Sequence, residues 1–370
     1  MTSLVSKTAS NSEGKGTDVL WFGPFPAPRN GIDEYARVIL ASLPTTVTAS
    51  TKRLSFANWP LDYPQQVVSA LLHLARAARR RPLIHIQYCA FSTGPAAMLV
   101  VILARVFGLK VVCTLHEDKS SMAAKNRVLA AAYALFENVL LSFCQRIIVH
   151  SQWQKSHLPK SAQQKAEVIE FGVNRLSRGR PRTASKHHVG CFGIITPHKC
   201  IETVIEACHL ASKEVPGLRL TIAGTVSNPS KHGGYLQYLR DLLQERLGDR
   251  GILLTDVLQD EFDALQEDVD VVCFGLRRAT QSTTVYRAIG HLKPVVVTDA
   301  GGVGEVVRNE GLGVVVPIDD VKAMSDGIVH LLTDRQAYEQ ARTAIRTYAK
   351  IRTWRANAEA HARIYTQLVA

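Results

Sequence analysis

The sequence lacks the features that mark several large classes of protein. Its seven cysteines form no CxxC pair and no metal-ligand spacing, which argues against a disulfide framework or a zinc module. The first eighteen residues are polar, with no apolar segment of the kind that a signal peptide needs. Arg105 and Lys110 interrupt the apolar stretch 94–115 well short of the ~20 clean residues of a membrane span. These absences predict a cytoplasmic protein with reduced core thiols.

Acidic residues are scarce in the first half of the chain. Residues 1–175 contain 20 Lys and Arg against 10 Asp and Glu, a balance of +10, whereas residues 176–370 contain 24 against 22, a balance of +2. A basic first half favours an anionic partner such as a membrane surface or a lipid diphosphate, and a solvated surface is the alternative. Nucleic acid is not an expected partner, because no recognised binding motif accompanies the charge.

Strands and helices alternate along the chain. Apolar runs such as "PLIHIQY" predict buried strands, and the stretches at about 94–107 and 122–143 predict helices. After the basic, turn-rich segment at 175–188 the same rhythm restarts with "VGCFGII". Such alternation predicts parallel sheets covered by helices on both faces. We therefore expect an α/β fold of two Rossmann-like doubly wound domains that face a central cleft.

The predicted domain boundaries follow the changes in composition. They are a disordered tail at 1–18, an N-terminal domain at 19–176, a linker at 177–188, a C-terminal domain at 189–350 and a final amphipathic helix at 351–370. Two domains of this size suit a chain of 370 residues.

Residues at the carboxyl ends of the predicted strands are candidates for ligand contact, because ligands of open α/β sheets bind there. In the first half this rule selects Gly23, the loop through Asn30 and Gly31, Gln87, Tyr88, His116, Glu117, His150 and Ser151. In the second half it selects the segments 193–199 and 276–284, Gly224, Gly301, Gly302 and Glu305. A structural role is the alternative for each of them. His85 alternates with isoleucines inside a strand, and we interpret it as a core histidine.

Two helix starts in the second half suit a diphosphate. One presents Lys199 after the strand "VGCFGII", and the other presents Ser282 and Thr283, whose hydroxyls and amides either cap the helix or hold phosphate oxygens. Arg287 follows one helical turn later, so its guanidinium could hold phosphate oxygens bidentately or lie on a solvated face. The loop before Gly31 lacks the GxGxxG spacing of a dinucleotide site, so NAD binding has little support.

These motifs together resemble the two-domain glycosyltransferases of the GT-B type, in particular the retaining family-four (group 1) enzymes. The resemblance covers nearly the whole chain and is carried by "GPFPAPRNGIDEYARVIL", "VVCTLHE", "VIEFGVN", "FGIITPHKCIETVIEA", "LTIAG" and "HLKPVVVTDAGGVGEVV". It implies that the C-terminal domain binds a nucleotide sugar, that the N-terminal domain binds the acceptor, and that the terminal helix crosses back to the N-terminal domain.

The resemblance also implies roles for individual residues. His116 would lie near the transferred sugar as the catalytic candidate, and Asn30, Tyr88 and Glu117 would lie on the acceptor side. The residues implied to bind the donor are Gly31, Lys199, Ser282, Thr283, Arg287, Gly302 and Glu305. No metal and no cofactor other than the donor is expected.

The sequence departs from the family pattern at four positions. Ile194 stands where the family often has arginine, and Cys200 where many members have glycine. The two family glutamates, eight positions apart, fall on Ala279 and Arg287. The missing carboxylates leave the identity of the donor open and weaken the case for catalysis.

The resulting expectation is a metal-independent hexosyltransferase that moves a sugar from a nucleoside diphosphate sugar to a hydroxyl acceptor. Retention follows from the resemblance alone. A lipid-linked saccharide acceptor, a place in polysaccharide or glycolipid assembly, and peripheral attachment to the inner face of the cell membrane are the accompanying expectations. Two alternatives stay open: a degenerate homologue that binds a nucleotide sugar or a partner transferase without turnover, and a sugar-nucleotide epimerase.

Overall fold

Residues 16–24, 31–54, 63–89, 93, 96–117, 127–174, 187–226, 229–257 and 259–370 are described by the computed structural model. Contacts divide the chain into two units. The first unit comprises the described residues up to Phe171 together with Trp354–Ala370, and the second comprises Gly172–Thr353. Most of the predicted tail and of the predicted linker lie outside the described residues, although the first strand already begins at Thr17, inside the predicted tail.

The first unit is built on a six-stranded parallel sheet of order β2-β1-β3-β4-β5-β6. Its elements are β1 (Thr17–Gly23), α1 (Gly31–Ser42), β2 (Val47–Arg53), α2 (Tyr63–Ala77), β3 (Leu83–Tyr88), α3 (Ala96–Val106), β4 (Val111–Leu115), α4 (Arg127–Phe143), β5 (Arg146–Val149), α5 (Gln152–Ser156), α6 (Lys160–Gln163), β6 (Ala166–Val168) and α14 (Trp354–Val369). The terminal helix α14 packs against α1 and β1.

The second unit contains another six-stranded parallel sheet, of order β12-β11-β10-β7-β8-β9. Its elements are β7 (His188–Ile195), α7 (Ile201–Ala211), β8 (Arg219–Val226), α8 (Pro229–Leu247), β9 (Gly251–Thr255), α9 (Gln259–Asp268), β10 (Val271–Phe274), α10 (Thr283–Gly290), β11 (Val295–Thr298), α11 (Gly301–Glu310), β12 (Gly313–Val316), α12 (Val321–Thr333) and α13 (Arg335–Ile351). The predicted fold class is confirmed, because both sheets are parallel and helices connect their strands.

The central strands are mostly apolar because both of their faces are covered. Every residue of β3, β4 and β10 is buried, as expected for the middle of a parallel sheet. The core of the first unit lies between its sheet and the inner sides of α2, α3 and α4, with members such as Val100 and Leu140. All seven cysteines are buried free thiols.

Some elements carried too weak a pattern to be predicted. The edge strand β2 reads VTASTKR and is mostly exposed or half-buried, so it has no apolar run. The helix α2 and the helices α12 and α13 were also not anticipated. Among the helices that the structure describes, none combines the length and the apolar composition that a membrane crossing requires.

Candidate functional site

The strand order of the second sheet reverses between β7 and β10, and ligands of such sheets bind outside the carboxyl ends of the strands at this point. Lys199, Gly193 and Thr284 line one pocket at this edge. Gly193 has φ +133°, and a Cβ atom there would lie 3.2 Å from the Thr284 side chain. The strand end and the start of α10 are therefore in close contact, and the structure brings two predicted donor-binding segments together.

The start of α7 differs from the predicted anion site. Cys200 adopts a left-handed conformation with φ +46°, which explains why glycine suits this position in the family that the sequence resembles. The first helix amide, that of Ile201, donates to the Tyr235 hydroxyl at 3.2 Å, and this hydroxyl donates to the Glu202 carboxylate at 2.5 Å. The Ile201 amide is therefore already engaged, and Lys199 is left as the anion-binding candidate here.

The start of α10 offers amides that the side chain of the preceding residue does not cap. Ser282 has the extended conformation of an N-cap, but its hydroxyl bonds to the Thr284 hydroxyl at 3.0 Å instead of to the helix backbone. Its carbonyl accepts from the Val285 and Tyr286 amides. Of the two predicted alternatives, capping by the Ser282 side chain is therefore wrong, and phosphate binding at Ser282 and Thr283 stays a prediction.

Arg287 is held by a carboxylate that was not singled out in the sequence. Its Nε and a terminal nitrogen bond to Asp263 of α9 at 2.8 and 2.6 Å, and its guanidinium lies 5.8 Å from the centre of the Phe262 ring. His291 bonds to the same carboxylate at 2.8 Å. Burial alone would raise the pKa of Asp263, but the bonds from Arg287 and His291 outweigh it and lower that pKa. The proposed role of Arg287 as a phosphate clamp therefore competes with an ion pair already formed.

The start of α11 lies beside this edge, because β11 pairs with β10. Gly302 is buried and Glu305 is half-buried in the first turns of this helix. The Thr298 hydroxyl donates to the Leu276 carbonyl, which fixes the end of β11 to the loop after β10. A Cβ atom at Gly304 would lie 2.6 Å from an Asp299 carboxylate oxygen, so this turn needs a glycine.

Positive charge accumulates around Lys199. Burial, together with the charges of Lys199, Arg278 and His232, lowers the pKa of His198 to about 4. The backbone amide of Arg277 donates to the His198 carbonyl at 3.3 Å, so the loop after β10 is fixed to the turn after β7. Burial is the larger cause of this shift, but the three basic side chains lie near enough to contribute to it, and a group of cations suits an anionic ligand.

His116 lies at the end of the first sheet's β4 strand, where it was predicted, but its ring is buried. Its Nε2 bonds to the Gln87 side-chain oxygen at 2.6 Å, and the Gln87 amide nitrogen lies 3.0 Å from His85 Nε2. Because an amide oxygen only accepts, Nε2 of His116 carries the proton and Nδ1 of the neutral ring is the acceptor. Burial, followed by the charges of His150 and His361, lowers the pKa of His116, so the ring is neutral at pH 7.

His116 belongs to a buried cluster of four histidines around Tyr35. The ring of Tyr35 lies 5.0 Å from that of His116 and 5.1 Å from that of His150. Tyr35 OH lies 3.2 Å from Nε2 of His361 on α14. His85 is fully buried, which confirms its interpretation as a core histidine. Burial lowers the pKa values of His150 and His361 to about 4 each and that of His85 well below its ordinary value.

The remaining predicted residues of the first unit are four, and each is in a different situation. Glu117 follows β4 and accepts from the Cys89 thiol at 3.3 Å. Tyr88 is 1% exposed and packs in the hydrophobic core, so its ring has little surface for an acceptor. Gly31 is the first residue of α1, and Asn30 lies outside the described residues.

No group of three or more His, Cys, Asp or Glu side chains is arranged to hold a metal ion in the part of the chain that the structure describes. The residues around the site in the second unit that sequence reasoning missed are Asp263, His291 and Tyr235. No local motif marks them, because each acts on a partner from another helix.

Residues 186–334 match the family model described as Glycosyl transferases group 1. A GDP-mannose-dependent alpha-(1-6)-phosphatidylinositol monomannoside mannosyltransferase of Mycobacterium tuberculosis is 27% identical over 166 residues, which are 43% of this chain. The match spans 41% of the length of that relative.

Solved structures align with nearly the whole chain. The Anabaena protein HepE, in complex with UDP and glucose, aligns with a TM-score of 0.73 at 16% identity, over 95% of this chain and 100% of that chain. Sucrose-phosphate synthase from Thermosynechococcus elongatus aligns with a TM-score of 0.73 at 19% identity, over 95% and 99% of the two chains. The chain therefore has the GT-B fold that its sequence predicted, and its residues 186–334 match the family model of the group 1 glycosyltransferases.

Proposed function

We propose that this protein is a hexosyltransferase that moves a sugar from a nucleoside diphosphate sugar to a hydroxyl acceptor. The observation that carries the proposal is the juxtaposition of Lys199 with the α10 start at the strand-order reversal of the second sheet. A lysine ammonium and the amide end of a helix are the groups that bind phosphate oxygens in proteins.

Departure of the nucleoside diphosphate is the step that the second unit would assist. Negative charge grows on the leaving diphosphate as the sugar bond breaks, and the Lys199 ammonium and the amides of Ser282–Thr284 would stabilise it. One charge-assisted contact of this kind is worth about 1.5–3 kcal/mol. We expect this balance of charge to operate without a metal ion, so activity should persist in EDTA.

His116 would act as a neutral acceptor of hydrogen bonds beside the transferred sugar. Its Nε2–H is fixed by Gln87, so the ring is oriented before any ligand arrives. The retaining stereochemistry suggested by the sequence resemblance is part of the proposal and is tested by the anomeric configuration of the product.

The donor and acceptor are proposed from the comparisons. The Anabaena neighbour was solved with UDP and glucose, and the mycobacterial relative is named for GDP-mannose and a phosphatidylinositol mannoside. We therefore propose a lipid-linked saccharide acceptor, with the protein working in glycolipid or polysaccharide assembly at the inner face of the cell membrane.

The test begins with a thermal-shift screen of UDP, GDP and ADP and of their sugars, because binding to the folded state raises its melting temperature. Transfer of labelled sugar from the best donor is then measured. Lys199→Ala should raise the Kd of the diphosphate by about 10- to 150-fold, the equivalent of about 1.5–3 kcal/mol. Lys213→Ala, at an exposed lysine of the same unit, should change nothing. If Lys199→Ala binds the nucleoside diphosphate with unchanged affinity, Lys199 is a surface lysine that does not contact the donor.

A second candidate function is binding of a nucleotide sugar without turnover. It is favoured by Ala279 and Arg287, which replace both glutamates of the family, and by the Arg287–Asp263 pair. This candidate would be supported if the protein binds the donor but neither transfers nor hydrolyses its sugar when acceptor lipids are supplied. Isomerised sugar nucleotide formed without acceptor would instead indicate an epimerase.

A further inference from the structure

One face of the first unit exposes apolar side chains on three helices. The helix α3 contacts both α2 and α4. The exposed apolar residues, which we call the apolar face, are Val68 and Leu72 of α2, Leu99, Ile102 and Val106 of α3, and Leu135, Val139 and Phe143 of α4. Soluble proteins rarely expose contiguous apolar surface of this kind without a partner.

The sequence of α3, the middle of the three helices, is apolar on its exposed side as well as on its buried side. Its inner side, including Val100 and Val101, is fully buried in the core. Its outer side carries Leu99, Ile102 and Val106, which are 50%, 42% and 73% exposed. Arg105 is the one polar residue in the helix. A surface helix ordinarily turns charged and polar residues outward, so α3 has the composition of a helix that is covered on both sides.

The charges on these helices are of one sign. Arg76, Arg79 and Arg80 lie exposed at the end of α2 and just beyond it, and Arg105 lies exposed in the last turn of α3. The three helix sequences contain a single acidic residue, Glu137, which is buried. Two other helices of the unit, α1 and α14, do not share this bias: α1 has Asp33 and Glu34 in its first turn, and α14 contains Glu359.

We propose that the apolar face is the surface by which this protein binds an anionic lipid bilayer. Exposed leucine, isoleucine, valine and phenylalanine side chains would enter the boundary between headgroups and acyl chains, and the arginines would pair with lipid phosphates. The inference deepens the proposed function, on which it rests for the lipid-linked acceptor, because it brings the first unit to the surface that carries such acceptors.

The experiment is cosedimentation of the full chain with vesicles of phosphatidylcholine alone and of phosphatidylcholine mixed with phosphatidylglycerol. Wild type should bind the anionic vesicles, with an affinity that falls as salt rises. The triple variant Leu99→Ser, Ile102→Ser, Val106→Ser should bind at least about tenfold more weakly. In the variant Arg76→Gln, Arg79→Gln, Arg80→Gln, the affinity for anionic vesicles should fall about fivefold for each arginine removed, and this affinity should depend less on salt.

The matched control replaces apolar residues of similar exposure in the second unit: Tyr238→Ser, Ile252→Ser, Ile351→Ser. It should bind vesicles like wild type. The melting temperatures of all variants, with and without UDP or GDP, separate this inference from the proposed function. If the α3 variant no longer binds vesicles but UDP or GDP still raises its melting temperature, the apolar face serves membrane binding and not nucleotide binding.

Three results would overturn the inference. They are absence of wild-type binding to any vesicle, equal binding to neutral and anionic vesicles, and binding that the α3 variant retains in full. Concentration-dependent self-association without lipid, abolished by the α3 variant, would also overturn it by assigning the face to a second copy of the chain.

Discussion

The Arg287–Asp263 pair allows a structural role to be separated from a ligand-binding role. Arg287→Ala removes two charge-assisted bonds, each worth about 1.5–3 kcal/mol when desolvated. The side chains are 19% and 30% exposed, so solvent screening reduces the gain, and His291 continues to bind Asp263. We expect a loss of about 2 kcal/mol in the free energy of unfolding of the second unit.

Spectroscopy can isolate that unit in the full chain. The protein has four tryptophans, and none of them lies between Gly172 and Thr353. Urea unfolding should therefore show an earlier transition by far-UV circular dichroism, while the tryptophan fluorescence transition stays in place. Arg277→Ala is the control. It also removes an arginine–aspartate ion pair, in which Arg277 Nε donates to both carboxylate oxygens of Asp319, but those side chains are 50% and 49% exposed, so the loss in unfolding free energy should stay below about 1 kcal/mol.

The opposite pattern would refute the reasoning about Arg287. If Arg287→Ala leaves the second-unit transition unchanged but weakens binding of a nucleoside diphosphate much more than of a monophosphate, the guanidinium serves the ligand as the sequence first suggested. Asp263→Asn should resemble Arg287→Ala in stability, and the double variant should lose little more than the worse single variant.

Two further predictions concern the first unit. The pKa values of His85, His116, His150 and His361 are lowered in the folded state, so the unfolded chain binds more protons in acid. The free energy of unfolding should therefore be constant above about pH 6.5. It should fall between about pH 6.5 and pH 4, by up to about 1.4 kcal/mol per pH unit for each histidine. Urea midpoints followed by tryptophan fluorescence test this prediction, and His361→Phe should make stability depend less steeply on pH. A stability that does not change with pH in the wild type would contradict it. His116→Gln should lower kcat with little change in donor Kd, whereas His85→Gln should lower stability and leave the activity of the folded fraction intact; equal kcat losses would make His116 a structural residue.

The fold was predictable from the sequence because parallel strands buried on both faces leave uninterrupted apolar runs. β10 has this pattern in full, and β3 and β4 have it apart from the buried polar residues His85, Gln87 and Thr114. The strand β2 has only one neighbour and one partly covered side, so its Thr, Ser and Lys residues resemble a loop. Edge elements of this kind depend on tertiary context that local periodicity does not contain.

The sequence predicted where the candidate site residues lie in the fold, but not which side chains they bond to. The strand-end rule placed Lys199 and Ser282 at one edge, because the chain direction fixes which ends of parallel strands meet. Arg287 and Asp263 are separated by 24 residues and lie on different helices, and no spacing rule links them. Likewise, Tyr235 occupies the Ile201 amide from α8, which only the packing of α7 on α8 reveals.

The position of α14 has a consequence for synthesis of the chain. Tyr35 contacts His361 across 326 residues, and His85 contacts Tyr365 across 280. The second unit is continuous in sequence, so it can fold while the ribosome still holds the last helix. Synthesis of the first unit starts before that of the second unit and ends after it. Until α14 has been synthesised, the central histidines of the first unit and Tyr35 lack the helix that covers them. We therefore expect the second unit to complete its fold before the first during synthesis.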